Sequence, residues 1–278
     1  MTGDVLERLG SEPVPSSQGG RRLLDLVRVQ ARLRGPGGCP WDAEQDHRSL
    51  ARHLLEEAHE LLEAIDAGDP ERIRDELGDV LLQVTFHAQI AADEGRFDID
   101  DVAEGLVRKL IRRHPHVFGG ERVAGAQEVL VNWERLKAEE TGGRTGLEEG
   151  IPASLPALAR AAKVQRRASG WGVGWRQEAA ALAALREEVD ELASVEPADR
   201  DAAEREVGDV LFAAVAVAGW LGVDAEAALR RATAAFAARA ERFLALAAER
   251  GIDPSSATQE ELLRLFDEAR EGGPDTEA

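Results

Sequence analysis

The sequence predicts an all-α protein made of two copies of one helical bundle. Three observations carry this. Ala, Leu, Arg and Glu dominate the 278 residues, 44% are hydrophobic, only 4% are aromatic, and Tyr is absent; this is helix-forming composition. Apolar residues recur at helical spacing in segment after segment, with little strand-like alternation. Two blocks of sequence also return, in the same order, in the second half of the chain.

The elements follow in order. Residues 1–20 hold Pro13, Pro15, Ser16, Ser17, Gly19 and Gly20 and read as a mobile tail. A helix is expected over 21–34, broken by Gly35-Pro36-Gly37-Gly38-Cys39-Pro40. The next, 47–67, is closed by Gly68 and Pro70, and 71–94 ends at Gly95. Helix 100–113 stops before Pro115, and 127–140 precedes a Gly-rich stretch. Residues 141–155, TGGRTGLEEGIPASL, read as a linker between a first domain, 21–140, and a second, 156–278. The second half is expected to be helical over 156–169, 177–194, 198–221, 225–250 and 258–271.

The repeat is specific. Glu56-Glu57-x-x-Glu60 returns as Glu187-Glu188-x-x-Glu191. Glu76-Leu77-Gly78-Asp79-Val80-Leu81 returns as Glu206-Val207-Gly208-Asp209-Val210-Leu211, at the same offset to within one position. Each block follows a Trp set after a Gly-containing turn, Trp41 after GPGGCP and Trp175 after WGVG.

Charge bounds the function. A net charge of −19 argues against a general nucleic-acid binder and against an anionic membrane surface. An anionic ligand would need a cation as mediator. With the single Cys39 there is no disulfide within the chain, and MTGDVLERLG has no apolar stretch of the signal-peptide kind, so a cytoplasmic location is expected. The longest apolar run, 210–223, is too short to span a bilayer and reads as a buried helix.

The acids have a geometry. With Leu54 at 0° and about 100° per residue, Ala58, Leu61 and Ile65 fall within about 40° of it and form the expected core stripe. Glu57 falls at about 300° and Glu60 at about 240°, one turn apart, while Glu56 at about 200° points away. On the following helix, with Leu77 at 0°, Glu76 at about 260° and Asp79 at about 200° lie between two apolar sectors. Two helices with acids at i and i+3 bring four carboxylates around one point. Such like charges need neutralising, and all-oxygen ligation favours a hard divalent cation, Mg2+ or Mn2+. Glu56 and His59 also make Glu-x-x-His, a di-iron spacing, but its repeat carries Asp190 instead of His. A solvated charged helix face is the plain alternative, which the repeat disfavours.

At these residues the chain resembles the MazG family of nucleoside triphosphate pyrophosphohydrolases, marked by EExxE followed by ExxD. CPWD at 39–42, EGRFD at 94–98, KLIRRHPHVFG at 109–119 and IPASLPAL at 151–158 also resemble it, so the likeness runs over about 21–250. The resemblance implies an all-α fold, a homodimer that completes helical bundles, and Mg2+-dependent conversion of NTP and water to NMP and pyrophosphate. It implies ribo-, deoxyribo- and non-standard nucleotides as substrates, in nucleotide-pool housekeeping. It also implies that Glu57, Glu60, Glu76 and Asp79, and again Glu188, Glu191, Glu206 and Asp209, hold the metal. Glu56 and Glu187 then stand behind them, orienting water as catalytic bases.

Positive groups for the phosphates are expected from Lys109, Arg112 and Arg113 in the first half, or these snorkel on the bundle surface. The second half offers Lys163, Arg167 and Arg239, with Ala235 in place of the lysine. Val107 stands where the family likeness suggests an Asn-like contact. Trp41 and Trp175 either stack on a nucleobase or close a core. A nucleotide-sensing or partner-binding helical scaffold with one degenerate domain is the competing reading.

Overall fold

The computed structural model of the chain describes residues 20–125, 128–129, 132–133, 136 and 146–271. The expected tail, apart from Gly20, lies outside them, as do parts of the expected 127–140 helix and linker. Among the described residues all regular structure is helical. The chain divides into two compact units, Met1–Gly143 and Arg144–Ala278.

The first unit runs α1 (Arg21–Arg34), α2 (Pro40–Glu44), α3 (His47–Ala67), α4 (Pro70–Asp93), α5 (Ile99–Arg113) and α6 (Pro115–Phe118). The second runs α7 (Ala157–Gly170), α8 (Glu178–Ala193), α9 (Arg200–Trp220), α10 (Ala225–Glu249) and α11 (Gln259–Glu271). The two short helices were not expected. Pro40 and Pro115 read as breakers, yet each stands at the first helical position, where a missing N–H costs nothing.

Local chemistry sets the central hairpin of the first unit. The Asp46 side chain accepts from the Arg48 and Ser49 backbone N–H groups, and Ser49 Oγ accepts in return from the Asp46 N–H, a capping box that starts α3. Gly68 ends α3 at φ 66°, a left-handed conformation that a Cβ disfavours. Asp69 immediately caps α4 through the Glu71 and Arg72 N–H groups. The turn is therefore two residues long, and α3 and α4 fold back along each other. In the second unit Asp199 caps α9 and Asp224 caps α10, and α8 and α9 form the matching hairpin.

Leu50, Phe86 and Ile90 form the core of the first unit, with Leu82 packed against them. Arg34 ties the end of α1 in. Its Nε donates to Asp93 at 2.7 Å, and its Nη1 donates to the Asp42 and Gln45 carbonyls at 2.5 and 3.0 Å. In the second unit α7 packs on α9 and α10, and α11 packs on α10. Leu265 and Ala269 of α11 are buried, Phe266 meets Phe236 and Phe243, and Arg250 pairs with Glu268.

The run 210–223 is buried only in its middle, at Ala213, Val215, Ala216 and Val217, while Leu211, Phe212, Trp220, Leu221 and Val223 are exposed. Among the described residues no single helix is long and apolar enough to cross a membrane; α9 and α10 pass such a test only as a pair, bent by 106°.

Candidate functional site

On α3 the buried line lies about 60° round from the leucine stripe. Leu54, Leu55, Ile65, Leu77 and Val84 are 39%, 60%, 50%, 52% and 41% exposed. On α3 the buried residues are Leu50 and Ala64, and Glu57 stands seven residues from each. On α4 the buried Gln83 and Ile90 stand seven and fourteen residues beyond Glu76. Residues seven apart share a face of a helix. Glu57 and Glu76 thus continue the packed seam of the hairpin and do not flank it.

One carboxylate oxygen each from Glu57, Glu76 and Asp79 lies within 4.8 Å of the others. Glu57 and Glu76 are half-buried and Asp79 is exposed. Glu60 is exposed, one turn further along α3, and is not one of the three. Burial, then the charges of Asp79, Glu60 and Glu76, push the Glu57 carboxyl above its ordinary value. The second unit repeats this. Glu188, seven residues after the fully buried Ala181, clusters with Glu206 and Asp209 within 4.8 Å. Burial, then Glu191, Asp209, Glu206 and Glu187, raise the Glu188 carboxyl.

Oxygens only, three carboxylates within 4.8 Å of one another, and Glu57 and Glu188 raised by burial and by their acidic neighbours make a donor set suited to a hard divalent cation. One further observation fits it: Glu206 Oε2 is buried with no hydrogen-bond partner, the condition of an oxygen built for a ligand.

A stability prediction follows. A carboxyl raised in the fold favours the folded state while protonated, and that contribution is lost as pH rises through its folded pKa. The metal-free protein therefore carries a penalty at neutral pH. Glu57→Gln is expected to raise its melting temperature at pH 7, to change it little near pH 4, and to shrink the rise that Mg2+ produces. A melting curve unmoved at pH 7 would contradict the assignment.

Glu56 is exposed and is not one of the three; His53 Nδ1 lies 3.0 Å from its Oε2. His59 is exposed, so it is His53 that meets Glu56. Glu187 has Ala184 in the place of His53, and it lines an open groove of about 680 Å3 with Arg186, Glu191 and Glu206.

The aromatic and basic candidates are placed as follows. Trp41 is 52% exposed and meets Phe86 and His53 edge-on, at 6.4 and 6.3 Å between ring centres. Trp175 is half-buried in the loop that joins α7 to α8. Lys109 and Arg113 are half-buried on α5 and Arg112 is exposed. The Arg113 guanidinium lies 5.3 Å from the centre of the Trp133 ring. The Arg239 guanidinium lies 5.5 Å from the Phe266 ring. Arg167 Nη1 donates to the Leu147 and Glu149 carbonyls, and Lys163 is exposed on α7.

Sequence reasoning missed His53, Trp133 and Phe266. The i, i+3 spacing of His53 to Glu56 was a readable signal; the ring contacts join residues far apart in the chain and left none.

Residues 45–118 and 176–243 match the MazG nucleotide pyrophosphohydrolase domain, one match over each acid cluster. The chain is 39% identical over 251 residues to a nucleoside triphosphate pyrophosphohydrolase of Escherichia coli (strain K12), covering 88% of this chain and 95% of that protein. It is 41% identical over 253 residues, 91% of this chain and 96% of the other, to the nucleoside triphosphate pyrophosphohydrolase/pyrophosphatase MazG of Thermotoga maritima. A nucleoside triphosphate pyrophosphohydrolase of Mycobacterium tuberculosis is 47% identical over 161 residues, 57% of this chain and 48% of that protein.

Proposed function

The chain belongs to the MazG family and is a nucleoside triphosphate pyrophosphohydrolase, and from that premise we propose that it is Mg2+-dependent and that its carboxylate trios hold the metal. The observation that carries this is the recurrence of the Glu57–Glu76–Asp79 cluster as Glu188–Glu206–Asp209. The reaction splits the α–β phosphoanhydride. Water adds its oxygen to the α-phosphorus, its protons pass to solvent or base, and pyrophosphate leaves.

Mg2+, when bound, neutralises phosphate charge and stabilises what develops in the transition state. Mn2+ has the same taste for oxygen and is the expected substitute. Glu57, Glu76 and Asp79 hold the cation, with Glu60 available one turn on. Glu56, whose carboxylate is oriented by His53, holds and deprotonates the attacking water. Lys109, Arg112 and Arg113 lie on the next helix, where their charge attracts the triphosphate. Trp41 offers a half-open ring for a base to stack on.

The exposed Leu54, Leu62, Ile65, Leu77 and Val84 support a second copy of the chain against this face, as a homodimer. Substrates are expected to include ribo-, deoxyribo- and non-standard nucleotides, and the setting to be cytoplasmic. No nucleic-acid or membrane partner is expected of a chain at −19.

The test is a panel of nucleoside triphosphates incubated with the full chain and Mg2+. Nucleoside monophosphate and pyrophosphate in equal amounts are the expected products. Release of orthophosphate and a diphosphate would place the cut at the β–γ link and remove the proposed chemistry.

A further inference from the structure

The carboxylate of Glu56 is 60% exposed, and a side chain so placed turns freely unless something holds it. His53, one turn earlier on α3, does: its Nδ1 lies 3.0 Å from Glu56 Oε2. The other nitrogen of the same ring is engaged too. Arg52 Nε donates to His53 Nε2 at 3.3 Å.

These two contacts fix where the imidazole carries its proton. An arginine Nε–H only donates, and an ionised carboxylate only accepts. A proton on Nε2 alone would set N–H against N–H at the Arg52 end and a lone pair against the carboxylate at the Glu56 end. Protons on both nitrogens would leave the Arg52 end facing the same way, with two positive groups in contact. The form with hydrogen on Nδ1 satisfies both ends, so Nδ1–H is the donor and Glu56 Oε2 the acceptor.

The ring plane is held from a third side. Trp41 meets His53 edge-on, with ring centres 6.3 Å apart and 68° between the planes. Trp41 in turn stands on Phe86 at 6.4 Å and 86°, and Phe86 is a core residue, 3% exposed. Arg34 fixes the short helix that carries Trp41 by donating to the Asp42 and Gln45 carbonyls. A chain of contacts therefore runs from the core, through Trp41 and His53, to an exposed carboxylate beside the acid cluster. Hydrogen bonds to charged groups are the stronger kind, so the last link can hold a side chain that solvent would otherwise free.

We propose that Arg52, His53 and Trp41 act together as a positioning unit for the hydrolysis. Arg52 selects the Nδ1–H tautomer, Trp41 fixes the ring, and His53 engages Glu56 Oε2 so that Oε1 is left to the attacking water. This rests on the hydrolase reading above, in which Glu56 takes the proton from that water.

The test is steady-state kinetics with ATP and Mg2+ on the full chain carrying Glu206→Gln, so that the first cluster alone is read. His53→Ala is expected to lower kcat by about 10- to 100-fold, the size of a misplaced reacting group, and to leave KM little changed. His53→Asn, whose side-chain N–H falls near the place of Nδ1–H, is expected to recover most of that loss. His53→Gln, whose amide reaches to the Nε2 end, is not. Added to Glu56→Gln, His53→Ala is expected to cost little more, because nothing is left for it to aim. Nitrogen NMR of the wild-type chain is expected to find the His53 proton on Nδ1, and Arg52→Met is expected to move it partly to Nε2 and to lower kcat. Equal losses in the Asn and Gln variants, a loss confined to KM, full additivity with Glu56→Gln, or a proton on Nε2 in the wild type or unmoved by Arg52→Met would overturn the proposal while the hydrolase reading stands. So would a Glu206→Gln chain without turnover beside an active wild type. A wild-type chain that releases no pyrophosphate would overturn both together.

Discussion

Glu76→Gln combined with Glu206→Gln is expected to lower pyrophosphate release by about 100-fold or more, beyond what loss of a group merely supporting a metal ligand costs. Glu76 sits where the packed seam of the hairpin ends, half-buried, with an oxygen within 4.8 Å of those of Glu57 and Asp79. The amide is the same shape, so the helix and its packing should be retained, and a melting curve checks that. What changes is charge: the trio falls from three negative groups to two, and a neutral amide oxygen is a weaker donor to a hard cation. Glu76→Gln alone is expected to leave whatever turnover the Glu206 cluster supplies. A wild-type rate in the double variant would remove Glu76 and Glu206 from the chemistry altogether.

Removal of the metal is expected to have an effect as large. A chelator in excess should abolish pyrophosphate release, and Mg2+ or Mn2+ added back should restore it. The fold itself should register the change. Burial and neighbouring acids raise the Glu57 and Glu188 carboxyls, so the cation relieves a repulsion that folding imposes. A ligand at a hundredfold excess over its Kd stabilises the fold by about 2.7 kcal/mol per site. The melting temperature should therefore climb with Mg2+, and climb less for Glu76→Gln. Full activity in chelator would sink the metal reading. A requirement for iron would revive the Glu56–His59 alternative.

Much was legible because it is local. Helix ends are written in short-range chemistry, Asp46, Asp69, Asp199 and Asp224 at the starts and Gly68 at a left-handed end, and the structure's long helices begin and end within a residue or two of expectation. The exceptions are the helices begun by Pro40 and Pro115, because proline stops a helix or starts one depending on what precedes it. The repeat was legible for another reason: it is a comparison of the chain with itself.

The chain alone determined an all-α fold, its duplication, and the spacing that puts carboxylates one turn apart on consecutive helices. Only the tertiary structure decided which way those helices turn. The periodicity of one helix sets angles among its own side chains and says nothing of the direction in which its neighbour lies. On α3 the richest leucine stripe was the natural choice for the core, and Glu57 looked like its edge. Packing within the chain centres about 60° round from it, along Leu50, Glu57 and Ala64, and leaves Leu54 and Ile65 exposed. That choice half-buries Glu57 beside Glu76 and Asp79, sets Glu60 apart and hands Glu56 to His53. Contacts between residues far apart in the chain made it, and such contacts leave no period to read.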